Sequence, residues 1–239
     1  MFAVEIKNLV KDYGNIRALK GISFNIEEGE IFGLIGPNGA GKTTTLRIIA
    51  TLLSPTEGYV KVFGYDVRRE GDRVREIISY LPEEAGAYKN LTGLDYIRFM
   101  ASLYAKDEKD TKEFVERALD IADLGGRIGS KISTYSKGMV RKLLLARALM
   151  TFPKLAILDE PTSGLDVINS IEIRKLIRDF TKKGVTVLLS SHNMLEVEFL
   201  SDRIALIDKG EILEIGKPEE LKERYNARNI EEVFMGVVK

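Results

Sequence analysis

An α/β fold built on a parallel sheet is the class this sequence predicts. Short continuous apolar runs of buried-strand type recur along the chain, amphipathic helical stretches separate them, and a glycine-rich turn joins one such strand to the next helix. The chain has 239 residues, 44% hydrophobic and 30% charged, which suits a globular chain with a sizeable core and argues against disorder. Lys plus Arg is 36 and Asp plus Glu is 36, a formal net charge of +0, so composition gives no support to a dedicated nucleic-acid binder. There is no cysteine, which excludes a disulfide scaffold, a thiol nucleophile and a thiolate metal site, and the single histidine excludes a multi-histidine metal site. The absence of glutamine and cysteine beside many Lys, Glu and Arg points to adaptation to heat.

Taken in chain order, residues 2–35 read as short alternating strands with turns. Val4-Glu5-Ile6-Lys7 and Ile22-Ser23-Phe24-Asn25-Ile26 are two of them, and Tyr59-Val60-Lys61-Val62-Phe63 joins them in a small antiparallel sheet at one edge. Ile31-Phe32-Gly33-Leu34-Ile35 is a continuous apolar run, hence a buried strand, and residues 42–53 carry Leu46, Ile48, Ile49 and Leu53 at spacings that suit a helix packed on it. The densest basic stretch, from Val67 to Arg73, is interrupted by Glu70 and Asp72 and reads as a solvated helix start. Residues 91–151 read as helical. Leu94, Ile97, Phe99, Met100, Leu103 and Tyr104 form one amphipathic face, Phe114, Val115, Ala118, Leu119 and Ile121 a second, with Thr92 and Ser136 as N-caps. Leu155-Ala156-Ile157-Leu158 and Val185-Thr186-Val187-Leu188-Leu189 are further buried strands, with a helix over residues 168–183 between them. Residues 229–238 place Ile230, Val233, Phe234 and Val237 at helical spacing, a last helix packed on the core.

Three groups of residues carry chemistry. Gly36-Pro37-Asn38-Gly39-Ala40-Gly41-Lys42-Thr43, with Thr44 beside it, fits the phosphate-binding loop pattern in the context that the pattern requires, between a strand and a helix. The glycines let backbone N–H groups curl around phosphates, Lys42 reaches the β- and γ-phosphates, and Thr43 holds Mg²⁺. The strand at 155–158 delivers Asp159 and Glu160 to its C-terminal end, where ligands of open α/β sheets bind; Asp159 is placed to orient Mg²⁺ and Glu160 to polarise a water. His192 comes after the next strand and is either a capping or surface histidine or a group that approaches the γ-phosphate.

Together these residues resemble the ATP-binding cassette (ABC) ATPases over nearly the whole chain. The resemblance implies a P-loop NTPase (RecA-like) core, with a small antiparallel β subdomain and an inserted α-helical subdomain. Where the family has its signature, Leu-Ser-Gly-Gly-Gln, this chain reads Tyr135-Ser136-Lys137-Gly138-Met139, a variant that looks like the one in ATPases of ABC-2-type exporters. Ser163 and Asp166, in Pro161-Thr162-Ser163-Gly164-Leu165-Asp166, match the family's D-loop; Ser191-His192 matches its switch histidine, and Tyr13 the aromatic that stacks on adenine. One departure bears on chemistry: Glu83, in Tyr80-Leu81-Pro82-Glu83-Glu84, stands where the family usually has a glutamine that contacts Mg²⁺ and water. It is either a metal ligand or a solvated loop acid.

The resemblance further implies a single ABC ATPase domain over 1–239. Its parts are a nucleotide-binding core at 1–90 and 152–225, a helical signature subdomain at 91–151 and a C-terminal helix at 226–239. It implies hydrolysis of ATP with Mg²⁺ in an ATP-dependent head-to-tail homodimer (or a pair with a similar ATPase). In that dimer the N-terminal end of the helix at 136–150 presents Ser136, Lys137 and Gly138 to the ATP held by the other chain, as a helix N-terminus suits an anion. It also implies an integral membrane permease as partner, docking on the helical insertion and the loop from Glu83 to Tyr88. The start of the chain resembles no signal peptide and no run of eighteen apolar residues occurs, so the expected location is cytoplasmic, peripheral on the inner face of the membrane through the permease. A soluble ABC ATPase acting on ribosomes or DNA is the alternative; such proteins usually carry two cassettes or long coiled-coil insertions, which this chain lacks. A nucleotide-gated module without turnover is a third class, opposed by Glu160 and His192.

Overall fold

The computed structural model describes residues 1–238; Lys239, the last residue of the expected C-terminal helix, lies outside them. The chain opens with a long hairpin, β1 (Phe2–Tyr13) and β2 (Ile16–Glu27), then forms the buried β3 (Ile31–Ile35) and helix α1 (Lys42–Ile49). Strands β4 (Glu57–Val62) and β5 (Tyr65–Asp66) return to β1, giving a four-stranded antiparallel sheet in the order β2-β1-β4-β5. Helix α2 (Gly71–Ile77) leads into β6 (Ile78–Leu81), and the helical insertion comes next with α3 (Gly93–Tyr104), α4 (Glu108–Ala122) and α5 (Lys137–Leu149). The chain then returns to the core through β7 (Leu155–Asp159), α6 (Val167–Lys182), β8 (Thr186–Ser191) and the short α7 (Met194–Glu198). It finishes with β9 (Arg203–Asp208), β10 (Glu211–Gly216), α8 (Pro218–Tyr225) and α9 (Ile230–Val237).

The central sheet has six strands in the order β10-β9-β3-β8-β7-β6. All its pairs are parallel except β10 with β9. Strict alternation along its strands splits the interior into two cores. Ile31 and Ile35, Ala156 and Leu158, Val187 and Leu189 face one way and meet α5, α6 and the buried side chains of the insertion, Tyr96, Ile97, Ala118 and Leu143 among them. Phe32, Leu34, Leu155, Ile157 and Leu188 face the other way, onto α1 and the antiparallel sheet. Burial on both faces explains why these strands read as unbroken apolar runs.

Several boundaries differ from those the sequence predicts. Helix α1 stops at Ile49 rather than running to residue 53, because Thr51 takes a left-handed backbone (φ 62) and the carbonyl of Arg47 accepts from the amides of both Leu52 and Leu53. Phe63, also left-handed (φ 47), closes β4 one residue early. Val185 belongs to the turn that ends α6, its N–H donating to the Phe180 carbonyl, so β8 begins at Thr186. Thr92 and Ser136 cap α3 and α5, accepting from the amides of Asp95 and Met139. Among the described residues no helix is long and apolar enough to cross a membrane.

Leu158 is fully buried in β7, beside the site. Leu158→Ala is expected to lower stability by about 2–5 kcal/mol, through lost transfer energy and an unfilled cavity. A shift of the urea unfolding midpoint at unchanged slope checks this.

Candidate functional site

The parallel register brings four strand ends into one row. Ile35 of β3 lies opposite Ser191 of β8, Ser190 opposite Asp159 of β7, and Leu158 opposite Leu81 of β6. The segments that leave these ends therefore converge: the loop 36–41 after β3, His192 after β8, Glu160 after β7 and Glu83 after β6.

The loop is drawn tight against its neighbours. A Cβ on Gly36 would lie 2.0 Å from the Ile207 carbonyl oxygen of β9, and Gly41, left-handed at φ 109, turns the chain into α1. The Lys42 ammonium arches back over the loop, donating to the carbonyls of Gly36 at 2.7 Å and Pro37 at 3.2 Å. A cleft of about 160 Å³ is lined by residues 38–44 with Ala18, Glu83 and Glu160. That volume admits phosphates rather than a whole nucleotide. A base would lie outside it. Tyr13, at the end of β1, is not part of the lining; the residue is 44% exposed, with the Lys11 ammonium 5.1 Å from its ring centre.

Four ionic groups are buried around this cleft: Asp159 at 2% exposure, Glu160 at 4%, Lys42 at 6% and Arg141 at 7%. Two anions face two cations, which burial requires if the charges are to persist. Burial pushes the Lys42 ammonium below its usual range, and the carboxylates of Glu160 and Asp159 pull it back up. Lys42 Nζ lies 3.7 Å from Glu160 Oε1, and His192 Nδ1 lies 2.9 Å from that same oxygen. The other Glu160 oxygen accepts from the Ser191 hydroxyl at 3.3 Å. Asp159 accepts from the hydroxyls of Thr43 (3.3 Å), Ser190 and Tyr80 (3.4 Å). A hydroxyl and a carboxylate side by side are oxygen ligands of the type Mg²⁺ takes. Glu83 lines the same cleft and accepts from the Ser163 hydroxyl at 3.4 Å.

The remaining motif residues lie elsewhere. Asp166 caps α6, accepting from the Asn169 backbone amide at 3.0 Å, and that bond, with a second from the Asn169 side-chain amide, holds its carboxyl below the usual carboxylate range. Ser136 and Lys137 are exposed at the start of α5 and Gly138 is buried there; no hydrogen bond or ion pair among the described residues joins them to the loop 36–44. Gly138 packs so closely that a Cβ would lie 2.3 Å from Asn169 Oδ1.

Arg141 gives little sign of its place in the sequence, since an arginine on a helix usually reads as solvated. Its spacing from Gly138 and Leu145, three and four residues along α5, is the one signal that it shares their buried face. Ser190, a hydroxyl near the end of an apolar strand, is a second residue that spacing alone leaves unremarked.

A family model described as ABC transporter matches residues 19–163. The linearmycin resistance ATP-binding protein LnrL of Bacillus subtilis is 37% identical over 95% of this chain and 73% of its own length. The daunorubicin/doxorubicin resistance ATP-binding protein DrrA of Streptomyces peucetius is 39% identical over 92% of this chain and 67% of its own. Among solved structures, a dimeric post-hydrolysis state of the ATP-binding cassette MJ0796 bound to ADP and Pi superposes with a TM-score of 0.79 at 28% identity. It covers 90% of this chain and 98% of that one.

Gly36→Ala drives a methyl into the Ile207 carbonyl, so the loop must shift away from β9. The expected result is an ATP affinity at least about tenfold weaker, read by equilibrium titration with a fluorescent ATP analogue, together with a lower melting temperature.

Proposed function

The chain belongs to the ABC transporter family as an ATP-binding, ATP-hydrolysing cassette, and from that premise we propose that it powers export as the ATPase subunit of an ABC-2-type transporter. The observation that carries the reading is the convergence of Lys42 and His192 on one oxygen of a buried Glu160, beside Thr43 and Asp159. The resistance functions in the relatives' names support outward transport.

In this reading the loop 36–44 holds the triphosphate by its backbone N–H groups, with Lys42 leaving its loop carbonyls for the β- and γ-phosphates. Thr43, Asp159 and Glu83 would hold Mg²⁺, which would supply positive charge to offset that of the phosphates. Glu160 orients the attacking water and takes its proton. His192, through Nδ1–H, fixes the carboxylate's orientation, and its half-exposed ring reaches toward the γ-phosphate. Tyr13 stacks on the adenine.

Within one chain the γ-phosphate is covered on one side only. Ser136, Lys137 and Gly138 complete the site from a second copy, which sets the N-terminus of its α5 against the phosphate. Ser163 and Asp166 line the seam between the copies. ATP then holds two chains together, and loss of one phosphate loosens them. Homologous cassettes act as dimers with membrane permeases, and the dimeric MJ0796 structure supports the same assembly here.

We read the chain as one ABC ATPase domain with its core at 1–90 and 152–225, the signature subdomain at 91–151 and the C-terminal helix at 226–239. The permease docks where the insertion meets the core. A groove of about 700 Å³ lies there between Leu52, Tyr80, Tyr104, Phe114 and Arg147, while Phe99 and Leu103 of α3 and Tyr88 of the loop before it stand exposed. Such docking holds the chain at the inner face of the membrane. Recovery of an integral membrane protein with the tagged chain supports this; recovery of ribosomal or DNA-bound proteins alone contradicts it.

Glu160→Gln keeps the shape of the site and removes the base. Turnover is expected to fall at least about a hundredfold with ATP affinity within about threefold. The same variant should double in mass with ATP and Mg²⁺ in light scattering. A monomer at saturating ATP contradicts the ATP-held dimer.

A further inference from the structure

Arg141 is buried in the second turn of α5 and has no carboxylate bonded to it among the described residues. Its guanidinium is spent on backbone carbonyls instead. Nε donates to Pro161 at 2.6 Å, Nη2 to Asp159 at 3.2 Å and also to Glu160, and Nη1 to Glu83 at 3.3 Å. One rigid fork thus grips the end of β7, the turn after it and the loop after β6. An apolar side chain here would pack α5 onto the core as Leu144 and Leu145 do, without the cost of burying a cation.

The peptide it grips is an unusual one. Glu160 has a left-handed backbone (φ 49), a conformation that a non-glycine residue keeps only where its surroundings impose it. The surroundings are identifiable. Its N–H donates to the Ser190 carbonyl at 3.2 Å and lies 3.1 Å from the Ser190 hydroxyl, while its carbonyl accepts from Arg141. Strand β8 therefore pins one side of the residue and α5 the other. Helix α5 also begins at Ser136, and only about 7.5 Å of helix separates Ser136 from Arg141. Its first turn meets the D-loop as well: Gly138 abuts Asn169, whose amide donates to Asp166 Oδ2 at 2.6 Å.

We propose that Arg141 is a positioning residue that ties the pose of α5 to the aim of the Glu160 carboxylate, so that engagement of Ser136 by the other copy's nucleotide is transmitted to the hydrolytic site. The inference rests on the reading of Ser136 and Glu160 given above. A lysine at 141 keeps the charge but not the fork, and a glutamine keeps neither the charge nor the reach to all four carbonyls.

The test is steady-state ATPase kinetics of the full chain carrying Arg141→Lys, Arg141→Gln, Ser136→Ala and each double variant, with Glu160→Gln alongside. Both Arg141 variants are expected to lose about tenfold or more in kcat with KM for ATP within about twofold. The loss from Ser136→Ala should then shrink at least about threefold in either Arg141 background, because the route from Ser136 to Glu160 is already cut. Additive losses, or a loss carried by KM, overturn the proposal and assign Arg141 to packing alone. Wild-type turnover in Glu160→Gln would instead overturn the site reading, and the proposal with it; a dead Glu160→Gln beside an additive cycle removes only the proposal.

Discussion

The site depends on one residue held in a conformation it does not favour. Glu160 leaves β7 with a left-handed backbone, and that turn sets its buried carboxylate between Lys42 and His192. Left-handed φ costs a non-glycine residue of order 1–3 kcal/mol, and the surrounding bonds offset it: two contacts from Ser190 at the amide and a guanidinium at the carbonyl. Those bonds exist only because β8 lies between β3 and β7 and because α5 crosses behind the strand ends. The order of the central sheet is in this sense the first determinant of the chemistry.

Charge makes the same point. Two carboxylates and two cations share an interior that could not hold any one of them alone. The cations differ in what they can do. Lys42 is a single flexible point charge resting on two loop carbonyls, free to exchange them for phosphate oxygens. Arg141 is a rigid fork fully engaged by the backbone, suited to holding geometry. In the proposed mechanism substrate binding and positioning fall to different cations.

Much of this is legible in the chain alone, for physical reasons. Strands β3, β7 and β8 are buried on both faces, so each carries a run of consecutive apolar residues. The phosphate loop needs glycine, lysine and threonine at set spacings, and Asp159 and Glu160 end an apolar run at the ligand-binding edge of a sheet. Less is legible where a short element depends on its neighbours. Strand β6 has four residues and β5 two, too few to carry a period. The ends of α1 and β4 are set by left-handed Thr51 and Phe63, which no local preference announces. Arg141 and Ser190 escape for a different reason. They act through backbone atoms of residues 18 to 58 positions away, and residue type alone does not encode such a bond. Ser136, Lys137 and Gly138 lie apart from the loop within one chain, and in the proposed dimer they take their role from the second copy.

In the proposed dimer each ATP site is assembled from the loop 36–44 of one copy and the start of α5 from another. Subunit complementation tests it most directly. Chains carrying Lys42→Ala lack a working loop, and chains carrying Ser136→Arg lack a working signature, so each alone is inactive. Mixed in equal amounts they are expected to regain turnover, at most about a quarter of wild type, since half the dimers pair unlike chains, each of those keeps one whole site, and the Glu160 of that site shares its chain with the altered Ser136. A mixture no more active than the sum of its two components would contradict a site shared between copies.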